Sequence, residues 1–243
     1  MADAFSTVQA ENLAHFMDWA TNNIYEVCRH NQDWYRQFAR IDGAFSIAFN
    51  NLSDSDSLHF GLLLARSRSA FRCSCMVAMS GQSVEAYMSM RGCLEAALYA
   101  LHIENNPKLG QVWLDRDDGK EARDACRQAF WHSEVQKTLR EKSEVLCTAM
   151  SQLYEMTIDL GAHPNKRSIT DGLRIDKDLD NKTITLQYLV GDPYQLTEAF
   201  KAISAVGICA LYILQLARTD YFKQLGIDSL IDKATKWSHD GQP

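Results

Sequence analysis

Turn-making residues are scarce in this 243-residue chain, which holds only 12 glycines and 4 prolines. A β-sandwich or barrel needs a turn every eight to twelve residues or so, so the scarcity points to long helices instead. A basic excess is missing too. With 25 Lys and Arg against 31 Asp and Glu, the formal net charge is -6. Bulk charge therefore offers no general attraction to nucleic acid or anionic membranes, although a local basic patch stays open.

Metal and cofactor signatures are lacking. The chain has no C-x-x-C, no H-E-x-x-H and no E-x-x-H, which argues against zinc and di-iron centres. It has no glycine-rich phosphate loop and no G-x-S-x-G. Asp176, Asp178 and Asp180 resemble the start of a calcium loop, but Asn181 replaces its glycine and Gln187 its bidentate glutamate. No cofactor and no metal are expected. The seven cysteines are scattered and odd in number, and Cys73 and Cys75 point about 200° apart on a helix. We expect reduced, buried thiols in a cytoplasmic protein. The N-terminus lacks the basic and apolar regions of a signal peptide, and the most apolar run, 202–214, falls short of the roughly 20 residues of a membrane helix. No membrane partner is expected.

What is present is helical periodicity. Leu13, Phe16, Met17, Ala20, Ile24, Val27 and Cys28 recur at spacings of three and four, predicting a helix over about 10–31. Trp34, Tyr35 and Phe38 continue the period after a break near Asn31, and residues 41–52 are ambiguous. A helix is predicted from Ser57 to Met79, ending at Gly81, with Ser83 capping the next, 83–105. Residues 120–140 read as one mixed-charge helix and 141–160 as a second. Around residue 173 the period changes to two, predicting one β-hairpin over about 173–190. A long apolar helix follows over 194–218, then a last one to about Trp237. The expectation is a single all-α domain over 1–243, a bundle of about seven or eight helices with that hairpin inserted.

The 83–105 helix carries Arg91, Glu95 and His102 within roughly 40° of one another at about 100° per residue. Val84, Met88 and Leu98 share their face, and Gly92, Cys93, Ala96 and Ala100 form a small-residue face opposite. Charges in an apolar stripe need partners. Arg91 and Glu95 read either as a buried pair locking the helix, worth about 3–5 kcal/mol to break, or as an anion clamp oriented by the carboxylate. His102 reads as a core histidine with its hydrogen bonds met.

Three other places carry candidate chemistry. His163 follows a predicted helix end and precedes Pro164, where an imidazole can serve as acid or base or cap the helix carbonyls. Arg66, Arg68 and Arg72 lie within seven residues, and Arg68 and Arg72 share a face, so an anion must answer them: Glu85, another carboxylate, or a phosphate backbone. Arg127 and His132 stand with four residues between them, a spacing that resembles the arginine–histidine pair of metal-independent ribonucleases of the HEPN type, in which the arginine neutralises phosphate charge and the histidine moves a proton. With 14 arginines and 7 histidines in the chain, one match at such spacings is expected by accident.

The run from Ser80 to Glu95, SGQSVEAYMSMRGCLE, and the later Gly161-Ala-His-Pro-Asn165 resemble a loose set of uncharacterised bacterial all-helical proteins with an R-x-x-x-E helix and a later histidine. Some of these look similar to HEPN-like domains of toxin–antitoxin and phage-defence loci. The resemblance covers roughly residues 57–167. It implies a cytoplasmic, homo-oligomeric helical bundle acting on RNA or a small anionic ligand, with Arg91, Glu95 and His163 as the positions to suspect. In the HEPN ribonucleases the arginine and histidine share one helix, whereas here their spacing occurs outside the R-x-x-x-E helix, at Arg127 and His132. Two functions are carried forward: a metal-independent ribonuclease, and a non-catalytic binding or interaction module.

Overall fold

The computed structural model describes residues 13–53, 57–162, 170, 173–177, 182–186, 189 and 193–240. Its helices are α1 (Leu13–His30), α2 (Gln32–Asn50), α3 (Leu58–Met79), α4 (Ser83–Asn105), α5 (Lys108–Leu114), α6 (Lys120–Ala129), α7 (His132–Lys142), α8 (Glu144–Thr157), α9 (Pro193–Ala217), α10 (Thr219–Gln224) and α11 (Ile227–Asp240). The class is all-α. Eleven α-helices among the described residues exceed the seven or eight expected. Two short strands, β1 (Leu173–Lys177) and β2 (Lys182–Leu186), pair antiparallel with Leu173 opposite Leu186.

The extra helices come from breaks that periodicity does not mark. The ambiguous residues 41–50 simply continue α2. The predicted 120–140 helix is cut at Phe130 and Trp131, where Trp131 turns extended (φ -58, ψ 142). In one straight helix the apolar pairs Cys126/Phe130 and Val135/Leu139 would point about 180° apart, to opposite faces. Breaking the helix lets all four be buried. The last predicted helix is likewise two, α10 and α11.

Capping follows side-chain chemistry. Ser57 Oγ accepts from Phe60 N–H at 3.3 Å, and Ser143 Oγ from Leu146 N–H at 3.2 Å, each meeting one orphan donor of a first turn. Ser83 does not cap α4, contrary to expectation: Gln82 precedes the helix and Ser83 is its first residue. The α3–α4 turn relies instead on Gly81 at φ 96. Gly81 N–H donates to Ala78 O at 2.9 Å and Gln82 N–H to Val77 O at 3.1 Å, closing the end of α3.

Helix α4 is the centre of the bundle, contacting α3, α5, α7, α8 and α9. Its small-residue face meets α3 in antiparallel register. Ser67 Oγ donates to Cys93 O at 2.9 Å, and Ser89 Oγ to Cys73 Sγ at 3.2 Å. On the other side of α3 lie Phe71, Phe45 and Phe38, the last with Phe200 of α9 at 5.4 Å between ring centres. Each fully buried phenylalanine contributes about 1.5–3 kcal/mol. Over Tyr194–Ala217, α9 is long and apolar enough to pass for a membrane span, and 72% of its apolar window is buried inside the protein. Past α8 the chain makes a π turn, Ile158–Ala162, that docks on α4. Gly161 is needed there, since a Cβ would stand 2.2 Å from Val84 O.

Candidate functional site

The face of α4 that looks away from α3 carries Arg91, Glu95, Leu98 and Tyr99 at helical spacing. All four line a cavity of about 460 Å³. The floor and far wall come from later elements: Trp113 of α5, Arg116 beyond it, Cys126 and Arg127 at the end of α6, His132 at the start of α7 and Tyr154 of α8. The break at Phe130 and Trp131 is what brings Arg127 and His132 to the same cavity from two helices. Phe130 is drawn inward, its ring 4.7 Å from that of Tyr99 and 5.5 Å from that of His102. Trp131 is left 65% exposed at the rim.

Arg91 finds its partners close by. Its Nε donates to Glu95 Oε1 at 2.8 Å, and Tyr154 Oη donates to the same oxygen at 2.9 Å. The guanidinium carbon sits 5.1 Å from the centre of the Tyr154 ring, a cation–π contact. The ring of His132 stacks on Tyr154 with centres 4.1 Å apart and planes 21° from parallel. Arg91, Glu95, Tyr154 and His132 thus form one continuous cluster. The Arg91 and Glu95 side chains keep 31% and 39% exposure, so they wall a cavity and are not the deeply buried pair considered from sequence.

Electrostatics divide the roles. Burial lowers the His132 pKa from 6.5, with Arg91 adding to that and Glu95 and Glu155 opposing it. His132 is therefore neutral at pH 7, a proton acceptor. Its Nε2 is buried without a hydrogen-bond partner among the described residues. Burial, reinforced by the Glu95 charge, pushes the Tyr154 phenol up to about 12, so it stays protonated and donates to Glu95. Among the described residues Arg127 makes only a surface pair, with Asp124 3.6 Å away, and it is 65% exposed at the mouth. Such a pair is worth little and yields readily to a stronger anion.

Four of the five suspected residues, Arg91, Glu95, Arg127 and His132, therefore share one cavity. His163 lies outside the described residues. His102, on the same α4 face, is the core histidine expected. Its Nε2 meets Ala129 O at 3.1 Å, and since a carbonyl only accepts, that nitrogen carries the proton; Nδ1 then accepts from Thr138 Oγ1 at 2.7 Å. Arg68 and Arg72 are answered by a carboxylate other than Glu85, Asp42 of α2, with contacts at 3.0 and 2.6 Å. Sequence reasoning missed Tyr154, Tyr99, Trp113, Trp131 and Arg116. Tyr154 sits in the α8 apolar period with Cys147 and Met150, where nothing sets it apart from core. Among the described residues no group of three His, Cys, Asp or Glu could hold a metal ion. The seven cysteines are free thiols.

No protein-family model matches the chain, and neither does any curated protein or solved structure.

Proposed function

We propose that this cavity binds a phosphodiester and that the chain is a HEPN-like, metal-independent ribonuclease. The observation that supports it is the meeting of Arg127 and His132 with Arg91 at one cavity, across a helix break. Two residues whose spacing alone meant little converge with a third whose helix was suspected on separate grounds. In this reading His132, neutral at pH 7, takes the proton of a ribose 2′-hydroxyl. The 2′ oxygen then bonds to phosphorus and the 5′-oxygen bond breaks, leaving a 2′,3′-cyclic phosphate, and the departing oxygen takes a proton from solvent. Arg127 and Arg91 neutralise charge growing on the non-bridging oxygens. Tyr154 holds His132 by stacking and Glu95 by its hydroxyl. The resemblance adds a homo-oligomeric assembly, a bacterial defence or toxin–antitoxin setting and a cytoplasmic location to the proposal.

The test is incubation of the purified chain with end-labelled single-stranded RNA in excess EDTA. Cleavage that persists there and is lost in His132→Asn and Arg127→Ala supports the reading. No cleavage, or cleavage indifferent to both substitutions, sinks it.

One observation favours the second reading, a non-catalytic module holding a small anion. His132 Nε2 is shut away from solvent, and Glu95 already accepts from both Arg91 and Tyr154. In that case nucleotides bind in calorimetry, Arg127→Ala abolishes binding, and no RNA is consumed.

A further inference from the structure

A second cavity, about 750 Å³, opens beside the first and shares two residues with it, Arg127 and Trp131. Its chemistry differs. Among the described residues the first cavity sets three arginines, Arg91, Arg116 and Arg127, against one carboxylate, Glu95. In the second, Arg127 is the only arginine among the described residues and lines the wall with two carboxylates, Asp124 and Glu134. Beside these stand the amides of Asn106 and Gln128, the imidazole of His102 and the apolar Leu109. A phosphate is repelled by such a lining. A nucleoside suits it: carboxylate and amide oxygens accept from base amino groups and ribose hydroxyls, and Leu109 offers apolar contact. His102 contributes a fixed wall, since both ring nitrogens are already engaged.

The shared residues fit the junction between two nucleosides. Trp131 stands 65% exposed at the start of α7, a flat apolar surface in front of both cavities. Arg127 is the cation common to both, with only a weak surface partner. We propose that the substrate is a single strand of RNA that crosses Trp131, its scissile phosphate held at the first cavity by Arg127 and Arg91 with the 5′ nucleoside beside His132, and its 3′ nucleoside in the second cavity. This rests on the ribonuclease reading above and adds to it a site of two nucleosides. A paired duplex is excluded as substrate on this geometry, because each base must leave its stack to enter a cavity or lie on the indole.

The experiment titrates the full chain with two probes, following tryptophan fluorescence. One is adenosine 3′-monophosphate. The other is the dinucleotide ApA with a 2′-O-methyl group on its 5′ nucleoside, which removes the attacking hydroxyl and so prevents cleavage. The dinucleotide should bind about tenfold more tightly, the margin of one stacked base. Asn106→Trp, at an exposed helix end in the second cavity alone, should erase that margin while leaving mononucleotide affinity unchanged. Trp131→Ala, exposed enough to spare the fold, should weaken the dinucleotide by a similar factor. Equal affinity for the two probes, or an Asn106→Trp variant that keeps the margin, overturns the two-nucleoside site. RNA cleavage that continues in that case shows that the ribonuclease reading survives without it. Binding of neither probe overturns the two-nucleoside site, and absence of RNA cleavage as well overturns both readings.

Discussion

The imidazole of His132 lies on the phenol ring of Tyr154, ring centres 4.1 Å apart, and the Tyr154 hydroxyl donates to Glu95. One aromatic side chain therefore links the first residue of α7 to the charged face of α4. The candidate proton acceptor is held by this stack, and its Nε2 has no hydrogen-bond partner among the described residues.

Removing the Tyr154 hydroxyl separates these two roles. Tyr154→Phe keeps the stack but leaves Glu95 with Arg91 alone. A hydrogen bond to a charged group is worth about 1.5–3 kcal/mol, and partial exposure puts this one near the lower end. Urea unfolding should show that loss, while RNA cleavage falls far less than in His132→Asn. Equal loss of cleavage in the two variants would mean that the hydroxyl itself takes part.

His132→Asn is expected to lower kcat by roughly 10²–10⁴-fold, the usual worth of one acid–base group. Its melting temperature should fall by only a few degrees, because what is lost is the stack on Tyr154, worth about 0.5–1.5 kcal/mol, and no side-chain hydrogen bond among the described residues. A variant that retains activity removes His132 from the chemistry.

The Arg91–Glu95 pair gives a milder prediction than a buried pair would. At 31% and 39% exposure, solvent screens it, so Arg91→Ala should cost about 1 kcal/mol and not the 3–5 kcal/mol of a buried ion pair. Denaturant midpoints measured at low and high salt check this. A loss above 3 kcal/mol that salt does not alter would restore the structural-lock reading.

Asp42 is the more costly carboxylate. It answers both Arg68, only 15% exposed, and Arg72, one turn apart on α3. Asp42→Asn leaves two like charges facing each other and should destabilise by about 2–4 kcal/mol. Burial raises the Asp42 pKa, but the hydrogen bonds and charges of Arg72 and Arg68 outweigh it, and the net shift is downward from 3.8. The folded state therefore holds fewer protons there than the unfolded one. The stabilisation is whole above pH 3.8 and disappears as pH falls through the lowered folded value. Acid unfolding of Asp42→Asn should be correspondingly flatter.

The two histidines give a second pH window. Burial is the largest cause lowering both His102 and His132 from 6.5, with the Ala129 hydrogen bond and Glu134 opposing it at His102. The unfolded chain thus binds protons first as the solution is acidified. Stability should be level above pH 6.5 and decline below it, toward the depressed folded values. Thermal melts between pH 5 and 8 read this. The activity limb from His132 should also lie below its ordinary 6.5, and a limb above that value contradicts a neutral, buried base.

Much of the architecture is written locally. Periods of 3.6 residues, Ser57 before α3 and Gly81 after it are enough to place α3 and α4 as a hairpin, because periodicity, caps and left-handed glycines act within a few residues of themselves. The break at Trp131 carries no proline or glycine and was not legible. It exists because Cys126, Phe130, Val135 and Leu139 are all drawn to one core, a demand that the neighbours make and the segment does not.

The site divides in the same way. The sequence by itself determined that Arg91, Glu95 and His102 share a face of α4, since helical geometry fixes angular position once a helix is assigned. It could not weigh Arg127 and His132, whose spacing is as common as chance. Only the tertiary structure decided that these two meet Arg91, that Tyr154 from α8 joins them, and that His102 is tied to Ala129 and Thr138 instead. Contacts between residues 59 positions apart, as Glu95 and Tyr154 are, depend on how whole helices pack, and packing is set by the sum of buried surfaces and by no single stretch of chain.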